Sequence, residues 1–273
     1  MLNKSVISLI AYDAHLLPNS IKSYYDYVDE IVLGLDENRI SWSKNKFTFD
    51  ENKLWSELQK IDGDNKISIV EGNFHKSDIA LENDNFQRNY LKEHCSNDWI
   101  FSFDADEELV NAKAFFIDFC PIVEKYHSKI DLSFYWILPY KEFEDDYLMI
   151  GNNDNSIFMG DTQGFVTHKN ATYTYCRWTN NSSRTLQSPL VVLHWSFCRD
   201  EKQLELKLNN FGHSDKSSDD PFFDTWKQIN LENFENLTDF KSSGYGANQW
   251  NKLLKLPKKD FKQIIRLTAE KAY

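Results

Sequence analysis

Within its first 107 residues the chain repeats one pattern: a short apolar run that stops at an acidic residue, followed by a stretch of helical character. Residues 5–12 are apolar and β-branched before Asp13, residues 30–35 end at Asp36, residues 66–70 close at Glu71-Gly72-Asn73, and residues 99–103 end at Asp104. Helical spacing occupies residues 21–27, after a polar stretch holding Pro18, and residues 79–94. Strands separated by helices predict a Rossmann-like, mostly parallel central sheet with flanking helices, whose ligand crevice lies beyond the carboxyl ends of the strands. The polar residues just past those ends, Tyr12, Asp13, Asp36, Glu71 and the acids from Asp104 to Glu107, are expected to converge.

The second half reads differently. A helix is expected around residues 108–126, a strand over 130–139, an acidic loop over 141–155, and strands over 164–168, 171–178 and 190–195. Helices over 201–211 and 257–272 follow, the latter with Phe261, Ile264 and Ile265 on one face. The expected organisation is an α/β domain over residues 1–198, with a donor half to residue 109 and an acceptor half from 110, then a helical C-terminal extension over 199–273. A hydrophobic content of 41% supports a substantial core.

Charge narrows the partners. A net charge of −11 argues against a nucleic-acid binder, which needs a basic face. Residues 251–273 run the other way, with seven Lys and Arg. That tail reads first as a helix packing its apolar face on its own domain, and second as a peripheral contact with an anionic membrane surface. The apolar run before Asp13 is too short for a signal peptide, and the four cysteines show no metal-binding spacing, so the chain reads as cytoplasmic with free thiols.

The segment Asp104-Ala105-Asp106 follows an apolar strand, where a turn can aim two carboxylates at one hard divalent cation. Such an ion bridges phosphate oxygens and stabilises a departing diphosphate. The competing reading is that both acids cap the start of the following helix. A phosphohydrolase with Asp104 as nucleophile and Asp106 as acid/base is a further reading. It is disfavoured because the motif stands on the fourth strand and is followed by Glu108.

Two stretches carry a family resemblance: Phe86-Gln87-Arg88-Asn89-Tyr90-Leu91, and then the run from Asp98 through Trp99 and Asp104-Ala105-Asp106-Glu107 to Leu109. Together they resemble the family-2-type bacterial glycosyltransferases with the GT-A fold, over residues 4–110. The resemblance implies a metal-dependent, inverting transfer of sugar from a nucleoside diphosphate sugar, uridine diphosphate foremost, to a glycan or lipid-linked hydroxyl acceptor. It implies Tyr12, Asp13 and Asp36 in the nucleoside pocket and Arg88 with Asn89 on donor phosphate or sugar. Asp104 would contact donor hydroxyls and the metal shell, Asp106 would ligate Mn²⁺ or Mg²⁺, and His194 would complete the metal or diphosphate site.

Gly160-Asp161-Thr162-Gln163 is similar to a segment that precedes an arginine-bearing strand in many relatives, and Asp161 is the first candidate for the base, with Asp154 the second. Where relatives carry a His-Glu pair this chain has Tyr175-Cys176-Arg177-Trp178, a departure that favours the alternative of a catalytically degenerate carbohydrate-binding protein on the same fold. Arg199 and Lys207 are read either as diphosphate contacts or as parts of a charged helix face.

Overall fold

A computed structural model describes residues 3–123, 130–181, 184–212, 221–237, 240–241 and 249–272, with the backbone alone at residues 161–163. Strands β1 (Lys4–Ile10), β2 (Glu30–Asp36), β3 (Ile67–Gly72) and β4 (Trp99–Ser102) form close to the expected positions. They pair in parallel in the order β3-β2-β1-β4. Every residue of β1 is buried, as befits a parallel strand covered on both faces.

The first helix, α1 (Leu17–Lys22), begins earlier than expected because Pro18 sits in its first turn, where its fixed φ suits the helix start. The helix α2 (Glu51–Ile61) has no counterpart in the sequence reading. Asp50 caps it by accepting from the Lys53 amide, and Leu54 and Leu58 bury its inner face. Helix α3 (Ala80–Glu93) lies close on β2 at Gly34, where a Cβ would stand 2.7 Å from Leu91 Cδ1.

Beyond α3 the expected helix over 108–126 is replaced at its start by a strand, β5 (Glu107–Leu109). A π-helical turn, Ala114–Phe119, then runs into α4 (Cys120–Val123), and the expected end of that helix lies outside the described residues. Next come β6 (Asp131–Ile137), β7 (Pro139–Glu142), β8 (Asp146–Gly151), β9 (Gly160–His168), the short hairpin β10 (Tyr173–Tyr175) and β11 (Trp178–Thr179), and β12 (Thr185–His194). The stretch expected as an acidic loop over 141–155 therefore holds a strand, in which Leu148, Met149 and Ile150 are fully buried.

The main sheet has eight strands, β3-β2-β1-β4-β9-β6-β12-β5, and is mixed rather than mostly parallel. β9 runs antiparallel to both β4 and β6, and β5 antiparallel to β12, while β6 and β12 are parallel. Parallel neighbours need a long crossover, usually helical. The alternation with helices ends at α4, and from β6 to β9 strand follows strand.

The C-terminal region contains α5 (Glu201–Asn210), α6 (Phe222–Gln228), β13 (Lys252–Pro257) and α7 (Lys258–Ala269). β13 joins β8 and β7 in a three-stranded antiparallel sheet, so this region contributes a strand as well as helices. Leu204 of α5 and Phe222 and Trp226 of α6 bury against Tyr140, Phe197 and Trp250. In α7, Phe261, Ile265 and Ala269 pack on Ile137, Met149 and Val191, so the apolar face of the basic tail is spent on its own domain. The four cysteines are free, and no described helix is long and apolar enough to cross a membrane.

Candidate active site

At the carboxyl ends of β1, β2 and β4 lies a cavity of about 590 Å³, lined among others by Tyr12, Asp13, Asp36, Asp104, Asp106 and His194. That size falls within the roughly 300–1,000 Å³ common for small-molecule sites. Of the residues expected to converge, two do not line the cavity: Glu71 faces Arg39 at 3.4 Å, and Glu107 is fully buried.

The acidic turn after β4 is braced from three sides. The Ser20 hydroxyl of α1 donates to the Asp104 carbonyl at 3.2 Å, and the Leu109 amide donates to Ser23 Oγ at 2.9 Å. Glu107 is fully buried; its carboxylate accepts from the Asp104 amide at 2.9 Å and from Trp136 Nε1 at 3.0 Å. Antiparallel pairing of β5 with β12 sets Glu107 opposite His194, and the Trp195 amide donates to the Asp106 carbonyl. A strand at 107–109, rather than the expected helix start, is thus what brings the late histidine to the acidic turn.

Asp104 and Asp106 face different cations. Asp104 accepts from Arg88 at 3.0 Å and from Arg177 at 2.5 Å. Burial pushes its carboxyl up, but Arg177 and Arg88 outweigh burial and hold it below the usual carboxylate range. Arg88 is fixed in turn by Asp84 at 2.6 Å, one helical turn earlier, and by the Ser102 hydroxyl. Burial pushes the Asp84 carboxyl upward against the pull of Arg88.

Arg177 lines the cavity although no sequence signal marks it, since Tyr175-Cys176-Arg177-Trp178 departs from the family pattern. Its guanidinium also meets Glu107 at 2.9 Å. The preceding residue, Cys176, has φ +52°, a left-handed conformation costing a non-glycine residue roughly 1–2 kcal/mol, at the turn between β10 and β11. Burial raises the Cys176 thiol to about 12, so it stays protonated at neutral pH.

Asn89 stands apart from its neighbour. Its side chain accepts from the Tyr173 amide at 3.0 Å and donates to the Tyr173 carbonyl at 2.9 Å, and it does not line the cavity. Consecutive helical residues point about 100° apart, so Arg88 and Asn89 cannot serve one site. Asn89 holds the hairpin that carries Arg177.

Asp106 is 3% exposed and its Oδ2 accepts from Arg199 at 2.6 Å and from Lys207 at 2.5 Å. His194 Nε2 lies 3.5 Å from Oδ1. Burial pushes this carboxyl up as well, and Lys207, His194 and Arg199 together hold it well below its ordinary value. Arg199 continues to Asp13 at 3.1 Å. Both cations are buried rather than parts of a solvated helix face. The signal lay in α5, where Leu204, Lys207 and Asn210 recur at intervals of three and all point inward.

The expected Mn²⁺ or Mg²⁺ ligands are Asp104, Asp106 and His194. Asp104 is turned to two arginines, and the oxygens of Asp106 meet two cations and the imidazole. Among the described residues no group of three or more His, Cys, Asp or Glu side chains is arranged to hold a metal ion. A divalent ion about 4 Å from either Arg199 or Lys207 would meet a repulsion of about 8 kcal/mol at an effective dielectric near 20. As arranged, these residues do not fit a divalent ion.

Of the remaining expected residues, Asp36 uses its carboxylate on the amides of Asn38, Ile40 and Phe74, fixing the loop at the cavity rim. That loop carries Trp42, another lining residue absent from the sequence reading, whose Nε1 donates to Gln87 at 2.7 Å. Asp154 is exposed, bonded to the amide and hydroxyl of Ser156, and outside the cavity lining. Asp161 lies in β9 opposite Tyr135; its side chain is outside the described residues.

No known family model matches the chain, and no curated protein matches it. Among solved structures it is similar to S. aureus TarS, at 16% identity over 51% of this chain and TM-score 0.31; the match spans 22% of that chain. It is similar also to S. aureus TarS 1–349, at 11% identity over 85% of this chain and 77% of that one, TM-score 0.37. A UDP-glucose pyrophosphorylase complexed with UDP-glucose matches at 10% identity over 62% of this chain and 76% of that one, TM-score 0.33.

Proposed function

We propose that the chain is a GT-A-type glycosyltransferase that moves a sugar from a nucleoside diphosphate sugar, uridine diphosphate foremost, to a hydroxyl of a glycan or lipid-linked acceptor, with inversion. The observation that carries this reading is the cavity at the ends of β1, β2 and β4, in which buried Arg88 and Lys207 and the Arg177 guanidinium surround the Asp104 and Asp106 turn. Departure of a diphosphate builds negative charge, and cations fixed beforehand by buried carboxylates stabilise it without reorganising. Trp42 offers an aromatic wall to a nucleobase, and Asp36 keeps its loop in place. Asp161 is the proposed base, taking the proton from the acceptor hydroxyl as that oxygen attacks the anomeric carbon.

The alternative, a carbohydrate-binding protein on the same fold, draws support from the pairing of Asp104 and Asp106, both of which are engaged by cations. A screen of nucleotide sugars for release of nucleoside diphosphate separates the two. Release from at least one donor supports the transferase; binding without release from any donor supports the binding protein.

A further inference from the structure

The cation pair on Asp106 has a chemical consequence. We infer that Lys207, seated on Asp106 beside Arg199, supplies the positive charge for which other diphosphate sites use a divalent ion, so that this site binds its nucleoside diphosphate without metal. The inference rests on the transferase reading and sharpens it.

Lys207 is seated on the carboxylate that a metal would need as its ligand. Its ammonium is 2.5 Å from Oδ2, it is 6% exposed, and it lines the cavity. An ammonium has three donors, and among the described residues Lys207 gives one, to Asp106. Donors thus remain for phosphate oxygens. The arginines on Asp104 differ: Arg88 spreads its nitrogens over Asp84, Ser102 and Asp104, and Arg177 spans Asp104 and Glu107.

Arg199 does not line the cavity and bridges Asp13 to Asp106, so it sets the carboxylate on which Lys207 rests. The helix fixes the placement, because Leu204, one turn before Lys207, is fully buried in the second core. A metal would have to displace a buried ammonium from Oδ2 and then sit beside Arg199.

The test measures binding of uridine diphosphate, with guanosine, cytidine and adenosine diphosphates alongside, by calorimetry on the full chain in excess chelator and in millimolar Mn²⁺ or Mg²⁺. The expected result is a dissociation constant that agrees within about twofold between the two conditions. Lys207→Met, checked for its fold by circular dichroism, is expected to weaken binding about 10- to 100-fold, the range of a lost charge-assisted bond, with Lys207→Arg recovering part of the loss. In Lys207→Ala, Arg199 still occupies Oδ2, so binding should stay weak and gain nothing from Mn²⁺. Nucleotide binding by the wild-type chain that appears only with Mn²⁺ or Mg²⁺ overturns the inference and leaves the transferase reading standing. A chain that binds none of the four nucleotides in either condition overturns the transferase reading and the inference together.

Discussion

Arg177 meets Asp104 at 2.5 Å across 73 residues of chain. The contact ties the hairpin of β10 and β11 to the acidic turn after β4, and through Glu107 to the edge strand beside β12. A residue of the second half is therefore a structural member of the motif in the first.

Removing Arg177 leaves the fully buried Glu107 with its Trp136 and Asp104 amide bonds but without a cation. Breaking a buried pair from one side typically costs about 3–5 kcal/mol. Arg177→Ala is expected to lose that much in urea unfolding, and Arg177→Lys less, because one charge remains. A loss below about 1 kcal/mol, the value of an exposed pair, would show that Glu107 is not dependent on it.

Acid should act on the same cluster with a definite sign. Asp104 and Asp106 have carboxyls held below the ordinary range by their cations. Their contribution to stability is fully present above the unfolded value of about 4 and is lost as pH falls through the folded values. Asp84, pushed upward by burial, acts in the opposite sense, its share fading as pH rises through its folded value. The gap in unfolding free energy between wild type and Asp106→Asn should be constant from about pH 7 to 5 and shrink below about pH 4. A gap that narrows already above about pH 5 would contradict the assignment.

Strands β1, β2 and β4 were legible because strands covered on both faces are continuous apolar runs, and their acidic ends marked the cavity. The second half was opaque for a physical reason: most of its strands pair antiparallel, and the buried run Leu148-Met149-Ile150 sits near acids that suggest a loop. The Asp104 and Asp106 turn, Arg88, His194 and Asp36 all reached the cavity, while Asn89 missed it by one helical step. Arg177 read as part of a departure from the family, and Arg199 and Lys207 as either diphosphate contacts or a charged helix face, because the carboxylates they pair with lie 70 to 186 residues away in sequence. Long-range charge pairing of that kind has no local signature.

Gly34 tests how closely the site depends on helix packing. A Cβ there would press on Leu91 Cδ1 at 2.7 Å and Gln87 Nε2 at 3.0 Å, and Leu91 is fully buried with little room to give. Overpacking of this kind costs about 1–3 kcal/mol. Gly34→Ala should lower stability by that amount in denaturant melts and displace α3, which carries Gln87 and Arg88. If stability is unchanged, Leu91 relaxes freely and α3 is less tightly seated on β2 than its distances indicate.

The acceptor base is tested by two conservative changes that differ in where they fall. Asp154 is exposed and its carboxylate closes its own turn on Ser156, which keeps it low and leaves it outside the cavity. Asp161 lies on β9, whose neighbour β6 carries Trp136 of the cavity wall. A base acts only within hydrogen-bond reach of the proton it removes, so its loss should strike transfer and spare donor binding, typically by about 10²–10⁴-fold in rate. Asp161→Asn is expected to bind uridine diphosphate as wild type does and to lose transfer on that scale, whereas Asp154→Asn transfers normally. Equal transfer by wild type and Asp161→Asn would move the base elsewhere.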